Sequence, residues 1–130
     1  MTAELEGVKV LVVEDEFLVA TLIEDMLHGA GCIVSGPIPR LREALDAVDR
    51  GTYDAAILDV NLGGERIDPV ARALSCRNVP FAFVTGYGTS SLPGDYAERP
   101  HLSKPFRMTD LLSTVSDLVH PSRPKVGGES

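Results

Sequence analysis

Tryptophan is absent from this 130-residue sequence and aromatic residues make up only 5% of it, so there is little surface on which nucleic-acid bases could stack. Positive charge is scarce too. Twelve Lys and Arg against 19 Asp and Glu leave a net charge of −7, which argues against direct nucleic-acid binding. The two cysteines, Cys32 and Cys76, lack metal-ligand spacing, and both are expected to be buried thiols. Long apolar runs are missing as well: stretches such as Val10-Leu11-Val12-Val13 are strand-sized, and no charged-then-apolar leader opens the sequence. The expectation is a cytoplasmic protein with no membrane partner.

The sequence does have enough apolar residues, 44%, for one real core in one domain, placed at residues 1–120. The last ten residues, 121–130, hold two prolines, two glycines and no apolar stripe, and are expected to be a disordered tail.

Short β-branched or apolar runs alternate with helical stripes along the chain. Val8 to Val13 reads as a buried strand that ends in three acids, Glu14, Asp15 and Glu16. Leu18, Leu22, Ile23, Met26 and Leu27 then recur at helical spacing until Gly29 and Gly31. Cys32 to Ser35 reads as a second strand stopped by Gly36-Pro37, and Leu41, Ala44, Leu45 and Val48 mark a second helix. Ala55 to Leu58 is a third strand that ends in Asp59, followed by the turn-forming Asn61 and Gly63-Gly64. Ile67, Val70, Ala71 and Leu74 give a third helix, and Phe81 to Val84 a fourth strand. His101 to Ser103 is a short fifth strand, and Met108, Leu111, Leu112, Val115 and Leu118 mark a last helix. Between Gly86 and Pro100, three glycines and two prolines leave the fourth helix irregular or missing. Strands alternating with helices imply right-handed crossovers, so the fold class is α/β, doubly wound around a parallel sheet.

In such sheets ligands bind beyond the carboxyl ends of the strands, which directs attention to Glu14, Asp15, Asp59, Thr85 and Lys104. Three carboxylates brought together repel one another, and a hard divalent cation such as Mg2+ relieves that repulsion. A carboxylate beside the cation can attack a phosphoryl group in line while an ammonium and a hydroxyl meet the charge on its oxygens, and Asp59 is best placed to attack. Taken singly, these residues have ordinary explanations. An acid at a strand end is commonly a solvated cap, and a lone lysine is usually surface. Their conjunction supports the functional reading.

Over Val8 to Val119 the sequence resembles the bacterial receiver-domain family of two-component response regulators. Glu14-Asp15 is similar to its acidic pair, Leu58-Asp59-Val60-Asn61-Leu62 to its phosphoacceptor segment, Thr85-Gly86 to its hydroxyl position, and Lys104-Pro105-Phe106 to its lysine-proline-aromatic signature. The resemblance implies a flavodoxin-like five-stranded sheet of order 2-1-3-4-5 and an aspartyl phosphate on Asp59. It implies Mg2+ held by Glu14, Asp15, Asp59 and the main-chain carbonyl of Asn61, with Thr85 and Lys104 on the phosphoryl oxygens. It further implies a cis Lys104–Pro105 bond.

Phe83-Val84-Thr85-Gly86-Tyr87-Gly88 resembles the FATGUY subgroup, often paired with histidine kinases of the HWE type, although Val84 replaces that motif's alanine. His101 occupies the family's aromatic switch position, so His101 and Tyr87 are the switch candidates, each with packing as the plainer role. The expected function is a stand-alone receiver, monomeric or weakly dimeric. It would be phosphorylated by a sensor histidine kinase or a histidine phosphotransfer protein and act on an effector, in a phosphorelay or as a phosphate sink. It would catalyse only its own phosphorylation and dephosphorylation. Two alternatives stand beside this reading: a pseudo-receiver that binds partners without phosphorylation, and a Mg2+-dependent phosphohydrolase resembling the haloacid dehalogenases. The latter would need a second Asp where Asn61 stands.

Overall fold

Alternation along the first strand sets up the whole architecture, because Val10 and Val12 face one side of the sheet while Leu11 and Val13 face the other, all four fully buried. A sheet buried on both faces needs helices on both. The computed structural model, which describes residues 5–86 and 99–121, supplies them in the order β1 (Lys9–Val13), α1 (Phe17–Gly29), β2 (Ile33–Ile38), α2 (Leu41–Arg50), β3 (Ala55–Asp59), β4 (Asn61–Leu62), β5 (Glu65–Arg66), α3 (Asp68–Cys76), β6 (Phe81–Thr85), β7 (His101–Ser103) and α4 (Met108–Val119).

Five parallel strands pair in the order β2-β1-β3-β6-β7, which is the expected 2-1-3-4-5 once the small β4-β5 hairpin is set aside. On one face Ile23 and Leu27 of α1 and Leu111 and Val115 of α4 pack on Val10, Val12, Ile57 and Val84. On the other, Ala44 and Val48 of α2 and Val70 and Leu74 of α3 pack on Leu11, Leu58, Phe81 and Phe83. The last two rings meet edge to face, with centroids 5.4 Å apart.

Four local expectations are corrected. The second strand does not stop at Gly36-Pro37 but runs on to Ile38, through a cis Gly36–Pro37 bond and a register shift against β1. An edge strand tolerates the missing N–H of proline, and Gly36 adopts φ +105°, where an added Cβ would lie 2.6 Å from the Val12 carbonyl oxygen. Leu18 and Leu22 do not join the core: they are 80% and 46% exposed, and α1 is anchored instead by Ala20, Ile23 and Leu27. Cys32 is buried, which pushes its thiol pKa up, whereas Cys76 at the end of α3 is exposed. Finally, Gly63 and Gly64, at φ +59° and +89°, form the tight two-residue turn of a hairpin whose arms were not anticipated. The cis Lys104–Pro105 bond is present as expected. Tyr87, most of the expected irregular region after it, and the tail beyond Pro121 lie outside the described residues.

Candidate functional site

The chain turns one way from β1 to β2 and the other way from β1 to β3, so the sheet reverses its strand order beside β1. The carboxyl ends of β1 and β3 meet there. Asp59 is the last residue of β3, and Glu14 directly follows β1, where its N–H donates to the Ile38 carbonyl at 3.0 Å. That bond depends on β2 continuing past Gly36, so the unforeseen end of the edge strand helps to fix the site. Thr85 closes β6, and its carbonyl accepts the Lys104 N–H at 2.9 Å, which brings the lysine beside it. Glu14, Asp59 and Thr85 are 2%, 6% and 2% exposed, the polar residues that the described core buries.

Carboxylate oxygens of Glu14, Asp15 and Asp59 lie within 4.8 Å of one another. Two of these acids are buried and Asp15 is exposed, over the Gly63 turn. Lys104 Nζ sits among carboxylates, hydrogen-bonded to Glu16 Oε1, 3.4 Å from Glu14 Oε2 and 3.8 Å from Asp59 Oδ2. Glu14 Oε2 also accepts the Glu16 N–H at 3.0 Å, and Asp59 Oδ1 accepts the Asn61 N–H at 3.2 Å. Glu14 Oε1 is buried without a hydrogen-bond partner. The whole opens into a cleft of about 730 Å3 between Asp15, the Gly63-Gly64 turn, Thr85 and Lys104.

This placement has electrostatic consequences. Burial pushes the Asp59 pKa up to about 8, and a hydrogen bond and charge repulsion from Glu14 push the same way, against the weaker pull of Lys104 and the Asn61 N–H. At neutral pH the cation-free site therefore keeps the Asp59 carboxyl largely protonated. For Lys104, burial lowers the pKa, but the hydrogen bond to Glu16 and the charges of Asp59, Glu14 and Glu16 outweigh it and raise the value overall. A hard divalent cation fits here for a specific reason. It would serve the orphaned Glu14 oxygen and replace the proton on Asp59 with charge that oxygen ligands accept readily.

The hairpin prepares one more oxygen. Leu62 pairs with Glu65 next to the two-residue turn, and the Ile67 N–H bonds the Val60 carbonyl at 3.3 Å. Asn61 and Arg66 between them form the pair that exchanges no ladder bonds, which turns the Asn61 carbonyl away from β5.

All five residues singled out from the sequence are thus brought together, while His101 stands apart. On β7 it pairs with Phe83 of β6, half-buried, on the sheet face opposite its neighbour Leu102. Two lining residues were not anticipated as site members. Glu16, third in the acidic run, binds Lys104, a role its exposed position at the start of α1 did not signal. Arg66 reaches the cleft from the hairpin and pairs with Asp68 at 3.1 Å. Nothing in its sequence neighbourhood marked it out.

Fold and site define a doubly wound α/β protein that collects carboxylates and one ammonium where its parallel sheet reverses. The response regulator receiver domain matches residues 10–116, and the chain belongs to that family. It is similar to SdrG of Sphingomonas melonis Fr1, whose solution structure shares 41% identity and superimposes with a TM-score of 0.79 over 87% of this chain and 97% of that one. The receiver domain of the sensor histidine kinase PA1611 from Pseudomonas aeruginosa PAO1, which carries magnesium in its active-site cleft, is 26% identical with a TM-score of 0.74, covering 88% and 98% of the two chains. The transcriptional regulatory protein TcrA of Mycobacterium tuberculosis is 34% identical over 119 residues, 88% of this chain and 47% of that protein. The chain therefore spans about half the length of the curated relatives it matches. No helix among the described residues is long and apolar enough to cross a membrane.

Proposed function

We propose that Asp59 is the phosphoacceptor of a Mg2+-dependent receiver, and that the phosphoryl group comes from a phosphohistidine on a sensor kinase or phosphotransfer protein. The observation that carries this reading is a buried carboxylate, Asp59, with two more acids within 4.8 Å and an ammonium at 3.8 Å. Mg2+ held by Glu14, Asp15, Asp59 and the Asn61 carbonyl would ionise Asp59 and offset phosphoryl charge when bound. An Asp59 oxygen attacks phosphorus as the donor's N–P bond breaks, and the leaving imidazole keeps the electron pair. The Lys104 ammonium and the Thr85 hydroxyl receive the phosphoryl oxygens.

A phosphohydrolase of the haloacid dehalogenase type is disfavoured because Asn61 stands where its second acid would be. Membership of the FATGUY subgroup and an HWE-type kinase are supported by the Phe83 to Gly88 motif, and an output through protein binding rather than nucleic-acid binding by the net charge of −7. Incubation with acetyl phosphate and Mg2+ tests the chemistry: a gain of one phosphoryl mass is expected, and none in the presence of a chelator. Unchanged mass with both the small donor and a kinase would sink the proposal in favour of a pseudo-receiver.

Docking of the donor would use the apolar side chains that α1 leaves outside the core. Phe17, Leu18 and Leu22 are 77%, 80% and 46% exposed, directly after the acids of the site. A donor seated on them would bring its phosphohistidine over Asp59. Leu18→Glu is expected to slow transfer from a partner kinase about tenfold or more, while uptake from acetyl phosphate stays as in wild type. Equal loss with both donors would show that the substitution damages the site itself.

A further inference from the structure

Lys104 is held closest by an acid that lies outside the cation cluster. Its ammonium bonds Glu16 and stands 3.4 Å from Glu14 and 3.8 Å from Asp59. A lysine that is to receive phosphoryl oxygens on Asp59 has to leave that partner. Glu16 is arranged to hold the lysine and to release it. It occupies the N-cap position of α1, yet its side chain makes no cap hydrogen bond to the helix, so the carboxylate is free to reach Lys104, just after β7. Its backbone N–H is pinned by Glu14 Oε2, which fixes where the side chain starts. The Glu16 side chain is 59% exposed and can swing into solvent, whereas that of Lys104 is 19% exposed and keeps its stem in the cleft wall.

We propose that Glu16 is a positioning residue that holds Lys104 off Asp59 and so slows phosphoryl uptake, a proposal that rests on Asp59 being the phosphoacceptor. Glu16 competes with the incoming phosphoryl oxygens for one ammonium, and its own negative charge opposes theirs. Removing the charge while keeping the shape frees Lys104 for the reacting group.

The test compares wild type, Glu16→Gln, Lys104→Ala and the double variant. Their phosphorylation by acetyl phosphate at saturating Mg2+ is followed by intact mass. Glu16→Gln is expected to speed uptake about threefold to tenfold, and the gain is expected to vanish in the Lys104→Ala background, because the effect runs through the lysine. A second readout needs neither phosphodonor nor cation: the ammonium nitrogen resonance of Lys104 is expected to shift in metal-free Glu16→Gln as the ion pair is lost. Uptake unchanged or slower in Glu16→Gln, a gain that survives without Lys104, or an unmoved lysine resonance each overturns the proposal. Uptake by no variant, wild type included, overturns it at its base, and the phosphoacceptor reading with it. That result is distinct from phosphorylation that proceeds with Glu16 indifferent.

Discussion

Asparagine in place of Asp59 is expected to abolish phosphoryl uptake and, in the absence of divalent cation, to make the protein more stable at alkaline pH. The second effect follows from the proton inventory. In the folded state the Asp59 pKa stands at about 8, against 3.8 for an ordinary aspartate. Between those values the folded protein holds a proton that the unfolded chain has lost. Stability therefore falls as pH rises: the contribution is fully present below the unfolded value and is lost as pH passes through the folded one. At pH near 8 the wild type holds Asp59 about half ionised while buried against Glu14, and has lost several kcal/mol of stability relative to acid pH that Asp59→Asn does not lose. Urea unfolding across that pH window is expected to show a falling stability in wild type and a flatter line in the variant. Mg2+ is expected to flatten the wild-type line as well, because the cation takes over the proton's role. Parallel slopes for wild type and variant would show that Asp59 is not the group that titrates.

Lys104→Ala separates the two tasks of the lysine. Losing a preorganised donor to a developing phosphoryl charge typically costs about a hundredfold or more in rate, and a loss of that size in phosphorylation is expected here. Cation binding is expected to move the other way. The ammonium lies 3.4 Å from Glu14 and 3.8 Å from Asp59, where it competes with a metal for the same oxygens. Without it, Mg2+ affinity measured by calorimetry is expected to rise about tenfold, while the cation-free protein loses stability because two buried acids have lost their counter-charge. Weaker Mg2+ binding in the variant would contradict the arrangement described.

Much of the fold was legible because burial on both sheet faces leaves a plain signature. Val10 to Val13, Ala55 to Leu58 and Phe81 to Val84 are short apolar runs, and each ends at a polar residue of the site. What escaped the sequence reading had physical reasons. Leu18 and Leu22 fit the helical stripe by spacing, but spacing alone does not tell which side chains of a stripe reach the core and which stay exposed. The Gly63-Gly64 turn carried its signal, yet arms of two residues each are too short to show a period of two. Gly36-Pro37 reads as a stop because proline cannot pair on both sides, and only the edge position of β2 lets the strand continue.

The site was legible as a set of residues but not as a network. Glu14, Asp15, Asp59, Thr85 and Lys104 could be picked out by their place after each strand. Which acid the lysine prefers depends on side-chain reach across the sheet, and that preference is where Glu16 entered. His101, half-buried beside Phe83 on β7, stays a switch candidate on position alone.

The measurement that bears most directly on the central claim is to locate the phosphoryl group. After reaction with acetyl phosphate and Mg2+, borohydride reduces an aspartyl phosphate to homoserine, and peptide mass mapping then reads out the modified position. The predicted result is homoserine at residue 59 alone, absent when Mg2+ is chelated. Homoserine at Asp15 or at another acid with residue 59 unmodified, or phosphate retained on a histidine or serine, would contradict it.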